Sequence, residues 1–303
     1  MTSAGGGGRQ HGQIAGRFRK LEHRERKLMK EKVTIKKGTP QETLMLPLYG
    51  RYRANRMYPQ LFKDTTAKEI IDRIDYSIEQ SDMGKGPQIV YGMRQDVAER
   101  KARAFLARNP EGILVNIGCG LDTIFDHIDN GKCRMVNIDF PEVIEFRRKL
   151  FDPKDRETDI GKDANDHAWM DEIGFGPGDK AFIMVLGVLF YFEPDDVRRL
   201  VDAIGRRFPG ATMVFDYENA KMLARSNRAV RKTGNKGAWM PFSMEDARKE
   251  VAAFSDTVES VSVMNEMPPE YEALPLFYRW YFKRCLRNES MTFAEVRFRE
   301  AAE

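Results

Sequence analysis

The sequence predicts an α/β protein with a doubly wound, mostly parallel sheet of seven strands, preceded by an N-terminal helical cap. Three observations support this fold. From residue 113 onward, short runs of aliphatic and β-branched residues alternate with segments of helical length, which is the pattern of strand–helix–strand units. The run at 113–117 is almost wholly apolar and enters a glycine turn, as buried parallel strands do. Residues 40–108 are mainly helical in pattern.

Hydrophobic periodicity and helix start and stop signals place the individual elements. In the cap, 39–42 has the N-cap residue and first-turn proline of a helix start, apolar residues at helical spacing follow Thr66, and a long helix at 88–106 ends in a dense stop signal at 109–112. The strands are predicted at 113–117, 134–139, a third region before Asp163, 181–186, 211–217, 257–265 and 291–299. The helices between them are predicted at 123–127, 142–151, 194–207, 245–254 and 274–286. We expect the last strand to form an antiparallel edge.

These elements divide the chain into three parts. We predict a basic, disordered tail at 1–37, a helical cap and substrate lid at 38–112, and a sheet domain at 113–303 with a lid insert at 218–244. The tail carries eleven Lys and Arg against three Glu, so the formal net charge of +4 comes from it. Such a tail can bind nucleic acid, but the rest of the chain is slightly acidic, and a nucleic-acid partner is not expected.

Composition argues against several classes of protein. Charged residues make up 32% of the chain, and no run reaches the roughly 18 apolar residues of a membrane span, so no membrane partner is expected. The N-terminal segment lacks the apolar stretch of a secretory signal, which predicts a cytoplasmic protein. Cys119, Cys133 and Cys285 show no CxxC spacing and the four histidines no HExxH spacing, so neither a disulfide framework nor a metal site is predicted.

The first strand–turn–helix unit carries the main functional signal. Gly118 and Gly120 allow a tight turn and a close approach of the backbone to a ligand. Dinucleotide-binding folds place a third glycine three residues later, whereas this chain has Thr123 there, preceded by Asp122. A carboxylate repels a pyrophosphate but suits the sulfonium and ammonium groups of S-adenosylmethionine (SAM). The loop therefore favours SAM as cofactor, and the alternative is an ordinary turn in an unrelated α/β domain.

Two further carboxylates are candidates for the same site. Asp139 ends the second predicted strand about 20 residues after the glycines, where an acid can accept both ribose hydroxyls. The alternative is a solvated or helix-capping Asp before Phe140. Asp163, after the third strand region, could accept from the adenine amino group, with Ala164 as part of the pocket wall.

Three segments of the sheet domain match the motifs of a known family. They are Asn-Ile-Gly-Cys-Gly-Leu-Asp-Thr at 116–123, Ile-Asp-Phe-Pro-Glu-Val-Ile-Glu-Phe-Arg-Arg at 138–148 and Gly-Val-Leu-Phe-Tyr-Phe at 187–192. Together they resemble the leucine carboxyl methyltransferase family, and more closely its bacterial branch of tetracenomycin-polyketide-type O-methyltransferases. The resemblance implies a Rossmann-like class I methyltransferase fold and SAM-dependent methylation of a carboxylate or hydroxyl.

The resemblance also implies roles for single residues. Arg94 is expected to bind the methionine carboxylate of SAM, because a guanidinium can donate two parallel hydrogen bonds to a carboxylate. Tyr191 is the candidate catalytic residue near the methyl-transfer site, and its alternative role is that of a core aromatic. The candidate cofactor-binding residues are Arg94, Gly118, Gly120, Asp122, Asp139, Phe140, Asp163 and Ala164. Leu186 departs from the pattern, because the family commonly has an acid there for the amino group of SAM.

The acceptor is less well defined by the sequence. A small, polyketide-like molecule or a peptide would suit the family, and a homo-oligomer is compatible with it. A carboxylate acceptor needs no general base, whereas a hydroxyl would need one, for which His167 and Tyr191 are the candidates. The large apolar residues of the insert, Met222, Trp239, Met240 and Phe242, either bind a hydrophobic acceptor or pack the lid onto the domain.

Two other functions remain open at this point. One is a SAM-binding protein without transferase activity. The other is a nucleic-acid methyltransferase recruited by the basic tail, although the Asn/Asp-Pro-Pro-Tyr/Phe motif of amino-methylating enzymes is absent from the sequence.

Overall fold

A computed structural model describes residues 32–35, 43–76, 84–232 and 239–301. Most of the predicted tail and the predicted helix start at 39–42 lie outside these residues. Four residues of the predicted tail, 32–35, are described, and they contact the cap. Val33–Thr34 pairs in parallel with Ile74–Asp75, and Ile35 is buried among cap residues.

The strands of the sheet domain form one seven-stranded sheet. They are β1 (Ile113–Ile117), β2 (Arg134–Asp139), β3 (Glu157–Gly161), β4 (Ala181–Val185), β5 (Thr212–Glu218), β6 (Val258–Val263) and β7 (Met291–Phe298). Their order across the sheet is β3-β2-β1-β4-β5-β7-β6. The first five strands are parallel to one another, and β7 is antiparallel to both of its neighbours. The predicted doubly wound, mostly parallel sheet is confirmed.

One detail of the sheet differs from the prediction. The last strand, β7, is antiparallel as expected, but it lies between β5 and β6 and not at the edge. The edge strand is β6, in which Glu259, Ser260 and Ser262 are exposed. Half of the residues of this edge strand are exposed, whereas five of the eight residues of β7 are buried, as expected for a strand inside a sheet whose faces are covered.

The predicted helices occur in the predicted order, and two further helices, at 169–172 and 220–232, were not predicted. In the cap they are α1 (Met45–Met57), α2 (Ala67–Asp72) and α3 (Lys85–Leu106). In the sheet domain they are α4 (Phe125–Ile128), α5 (Pro141–Leu150), α6 (Trp169–Glu172), α7 (Pro194–Arg207), α8 (Ala220–Lys232), α9 (Ala247–Phe254) and α10 (Leu276–Arg287). Helix α3 begins three residues before the predicted start, because Gly84 provides an extended N-cap and Pro87 fits the first turn. Among the described helices, none is both long and apolar enough to cross a bilayer.

Helix α3 connects the cap to the sheet. Its C-terminal half packs Ala98, Ala102 and Phe105 against β1, β4 and β5. The Phe105 ring contacts the ring of Phe182, near the start of β4, with 5.5 Å between centroids. Eleven residues earlier on α3, Arg94 lies beside Gly187, just after the end of β4. The helix therefore runs antiparallel to β4 and brings Arg94 to the carboxyl edge of the sheet.

Candidate functional site

A crevice is expected where the strand order reverses between β1 and β4. The strands β2 and β3 follow on one side of this point, and β4 and β5 follow on the other. Gly118, directly after β1, has φ of +66°, and a Cβ on it would lie 2.3 Å from Cγ2 of Val188, in the loop after β4. The two loops are thus in contact through a position that only glycine can occupy without strain. In open α/β sheets, ligands bind outside the carboxyl ends of the strands at such a reversal.

The glycine loop and the end of β2 form one unit. The Gly118 and Cys119 amides donate to the Ile138 carbonyl at 2.8 and 3.2 Å. The Gly120 amide donates to Oδ2 of Asp139, and the Phe140 amide to Oδ1, both at 2.8 Å. Burial raises the pKa of Asp139, and these two backbone hydrogen bonds oppose the shift. The structure therefore brings the predicted residues Gly118, Gly120, Asp139 and Phe140 together.

Two arginines hold the carbonyl groups of this loop. Arg147 of α5, only 2% exposed, donates from Nη1 to the carbonyls of Gly120 and Asp122 at 2.8 and 2.9 Å. Arg51 of the cap donates from Nη2 to the carbonyl of Leu121 at 2.9 Å. The loop conformation thus depends on both the sheet domain and the cap. Neither arginine was predicted from the sequence, because neither lies near the loop along the chain.

Asp122 has several protein donors in this arrangement. Its carboxylate accepts from the Ile124 amide at 2.9 Å, from Nη1 of Arg51 at 3.2 Å and from Nδ2 of Asn116 at 3.3 Å. These bonds brace the turn and the start of α4. Direct contact of Asp122 with a cofactor stays a prediction.

Arg94 lies in an ion pair at the carboxyl edge of β4 and β5. Its Nε donates to Oδ2 of Asp216 at 2.6 Å, and Oδ1 of Asp216 accepts from the Gly187 amide at 2.6 Å. The guanidinium also lies over the rings of Tyr91 and Phe190, with 5.3 and 5.6 Å to the centroids. Burial alone lowers the pKa of Arg94, but the charge of Asp216, its hydrogen bond to Arg94 and the neighbouring Tyr91 and Glu218 together outweigh it, and the pKa is raised. Asp216 was missed, although an acid at the end of a buried strand was a usable signal.

A second buried acid, Glu218, ends the same strand. Glu218 is 8% exposed and accepts a hydrogen bond from the Ser226 hydroxyl of α8 at 2.7 Å. Burial raises its pKa. The pKa of the Tyr191 phenol is raised by burial and by the negative charges of Asp216 and Glu218, and the positive charge of Arg94 opposes this shift. With 49% of its surface exposed, Tyr191 is not a core aromatic.

Asp163 and Ala164 lie at the same edge of the sheet, just after β3. The preceding residue, Lys162, donates its amide to the Asp139 carbonyl at 2.9 Å. The Asp163 side chain accepts from the Asn165 amide, and the Ala164 carbonyl accepts from Nε1 of Trp169 at 3.0 Å. This turn is therefore well ordered by local bonds. Recognition of adenine by these two residues stays a prediction.

The lid insert packs onto the site through most of its large apolar residues. Met222, Met240 and Phe242 are buried, and Met240 packs with Leu223 against Phe190. Trp239, in contrast, is 61% exposed. Three of the four apolar residues thus hold the lid on the domain, and contact of the exposed Trp239 with an acceptor stays a prediction.

The cysteines and histidines take no part in a metal centre that the structure describes. Across residues 32–35, 43–76, 84–232 and 239–301, no group of three or more His, Cys, Asp or Glu is placed to hold a metal ion. Cys119, Cys133 and Cys285 are buried free thiols. His127 pairs through Nδ1 with Glu99 of α3 at 2.6 Å.

Comparison with known proteins identifies the family. The sequence model of the leucine carboxyl methyltransferase family matches residues 49–205. The chain is 26% identical over 210 residues to the tetracenomycin polyketide synthesis O-methyltransferase TcmP of Streptomyces glaucescens, covering 68% of this chain and 77% of that protein. Two solved structures share the fold. A candidate methyltransferase from Thermobifida fusca YX is 20% identical with a TM-score of 0.52, over 81% of this chain and 94% of that one. A DUF574 family protein from Streptomyces avermitilis is 14% identical with a TM-score of 0.53, over 81% and 96%. Because the family match spans more than half of the sequence, this chain belongs to the leucine carboxyl methyltransferase family.

Proposed function

We propose that this protein is a SAM-dependent O-methyltransferase that acts on a carboxylate or hydroxyl of a small, polyketide-like molecule or of a peptide. The observation that carries the proposal is the contact between Asp139 and the Gly120 amide. It places a carboxylate beside a tight glycine turn at the reversal of the sheet, where a ribose diol can be bound. The similarity to a polyketide O-methyltransferase supports the acceptor class.

The residues of the crevice fit SAM by shape and by charge. Gly118 leaves no room for a side chain, so the backbone can approach a ligand closely. Asp139 would hold the ribose, Arg94 the methionine carboxylate, and Asp163 with Ala164 the adenine. When bound, SAM supplies a methyl group on a cationic sulfur, which is already electrophilic. The protein therefore needs to orient the acceptor and exclude water more than to activate the donor.

Two residues, Tyr191 and Glu218, would act on the acceptor, each in a different way. Tyr191, whose phenol pKa is raised, stays protonated at neutral pH and can donate a hydrogen bond to an acceptor oxygen. Glu218, a buried acid whose pKa is raised by burial, is a further candidate beside Tyr191 and His167 to take the proton of a hydroxyl acceptor. A carboxylate acceptor arrives ionised and needs no such step.

The test combines binding with turnover. We expect the wild type to bind S-adenosylhomocysteine (SAH) in isothermal titration and to release SAH from SAM with at least one member of a panel of aromatic carboxylates and phenols. Asp139→Asn should weaken SAH binding at least tenfold. Glu142→Gln is the matched control, because Glu142 is an exposed acid three residues away on α5, and it should leave binding unchanged.

Two results would contradict the proposal. A wild type that binds neither SAM nor SAH removes the cofactor assignment. Binding without SAH release for any acceptor in the panel favours a SAM-binding protein without transferase activity.

A further inference from the structure

The ion pair of Arg94 and Asp216 is placed where a ligand can reach it. Helix α3 is already held on the sheet by the apolar contacts of its C-terminal half, and the ion pair lies outside them, at the carboxyl edge. Asp216 is 4% exposed, whereas 20% of the Arg94 side chain remains exposed. A buried ion pair adds little net stability, because desolvation offsets the Coulomb attraction. The need to hold α3 on the sheet therefore does not by itself explain why this ion pair is present.

Gly187, beside the ion pair, leaves the Arg94 guanidinium accessible from the rest of the crevice. A Cβ on Gly187 would lie 3.1 Å from Nη1 of Arg94, so any side chain there would cover the guanidinium. The next residue, Val188, contacts Gly118 of the glycine loop. The ion pair, the β4 loop and the glycine loop are thus continuous, and a ligand in the crevice can extend from Asp139 to Arg94.

The pair is complementary to an α-amino acid group. Such a group carries a carboxylate and an ammonium on one carbon atom, so its receptor needs a cation and an anion side by side. Within the described residues, Nε is the Arg94 atom that makes a hydrogen bond, which leaves the two terminal nitrogens to form a fork for a carboxylate. Asp216 supplies the neighbouring negative charge, and the Gly187 amide orients its Oδ1.

We propose that Arg94 and Asp216 together bind the amino-acid end of the cofactor, with Asp216 as acceptor for its ammonium group. This inference rests on the proposed function. It assigns to β5 the acid that is absent from the end of β4, where Leu186 stands half-buried against apolar residues. A carboxylate on the adjacent strand reaches the same edge of the sheet, because β4 and β5 are parallel neighbours.

The test is a binding cycle with two ligands and two proteins. The ligands are SAH and its analogue without the α-amino group, 4-(5′-adenosylthio)butanoate, both measured by isothermal titration. We expect the wild type to prefer SAH at least tenfold, and Asp216→Asn to reduce this preference to less than threefold by weakening SAH alone. Asp96→Asn is the matched control. Asp96 is another partly buried acid, paired with Arg100 at 2.8 Å and with the Tyr271 hydroxyl at 2.7 Å, away from the crevice.

Each outcome decides the proposal. Equal wild-type affinity for the two ligands overturns it without any variant, so the test holds even if Asp216→Asn does not fold. An unchanged preference in a folded Asp216→Asn protein, or an equal loss for both ligands, also overturns it. A wild type that binds neither ligand contradicts the proposed function instead.

Discussion

Replacement of Arg51 by alanine should destabilise the glycine loop, because it removes the contacts that the cap makes with this loop. Arg51 donates to the Leu121 carbonyl at 2.9 Å and pairs with Asp122 at 3.2 Å and with Asp64 at 3.3 Å. Its side chain is 9% exposed and that of Asp64 2%, so the variant leaves a buried acid without its cation. Breaking a buried pair costs about 3–5 kcal/mol. We expect the lower half of this range, since the Thr66 and Ala67 amides still bind Asp64.

This loss can be measured as a fall in melting temperature and in SAH affinity. At about 2–4 °C per kcal/mol for a domain of this size, Arg51→Ala should melt roughly 6–16 °C below the wild type by scanning calorimetry. SAH affinity should also fall about tenfold by titration, because the Leu121 carbonyl loses its anchor. Hydrogen exchange of residues 116–124 should become faster in the free protein.

Arg73→Ala separates loop positioning from general docking of the cap. Arg73 also joins the cap to the sheet domain, but it donates to the carbonyls of Lys149 and Leu150, at the end of α5 and away from the loop. This variant should lower the melting temperature and leave SAH affinity unchanged. If Arg51→Ala behaves in the same way, with normal SAH affinity in the folded protein, the reasoning about the loop is refuted.

Three further predictions concern the crevice. Gly118→Ala should destabilise the protein by about 1–3 kcal/mol in urea unfolding, because its φ is +66° and the new Cβ would lie 2.3 Å from Val188; a stability equal to the wild type would contradict the close contact between the two loops. Burial raises the pKa of Asp139, and only its ionised form accepts from two ribose hydroxyls. SAH affinity should therefore fall as the pH is lowered from 7 through that raised pKa, and Asp139→Asn should remove this pH step; a step that persists must belong to another group. Tyr191→Phe should lower kcat about 100-fold with SAH affinity unchanged, and a weakened SAH affinity with normal kcat would place Tyr191 on the cofactor side.

Much of the fold was readable from local pattern. The buried strands β1 and β4 appear as apolar runs because both faces of the sheet are covered, and α7 was predicted with the bounds that it has, 194–207, because its start and periodicity are both strong. The position of β7 inside the sheet was not readable. Antiparallel strands can join a sheet at an edge or inside it, and the choice depends on where β6 packs.

Of the residues in the candidate site, some could likewise be predicted from local sequence pattern and others could not. The glycine loop and Asp139 were found because a tight turn after a strand requires glycine and because an acid at a strand end is visible in the sequence. Arg51 and Arg147 were not found, since an arginine on a charged helix has no local feature that marks its partner. Asp216 was missed although an acid near the end of a buried strand is visible in the sequence.

By itself, the sequence determined the succession of strands and helices, the glycine turn and the family. These depend on interactions between residues close along the chain, such as backbone preferences and the burial of periodic faces. Only the tertiary structure decided which charges meet. Arg94 and Asp216 are 122 residues apart, and Arg51 and Asp122 are 71 residues apart. Electrostatic pairing depends on distance in space, and that distance is set by how α3, the cap and the sheet pack together.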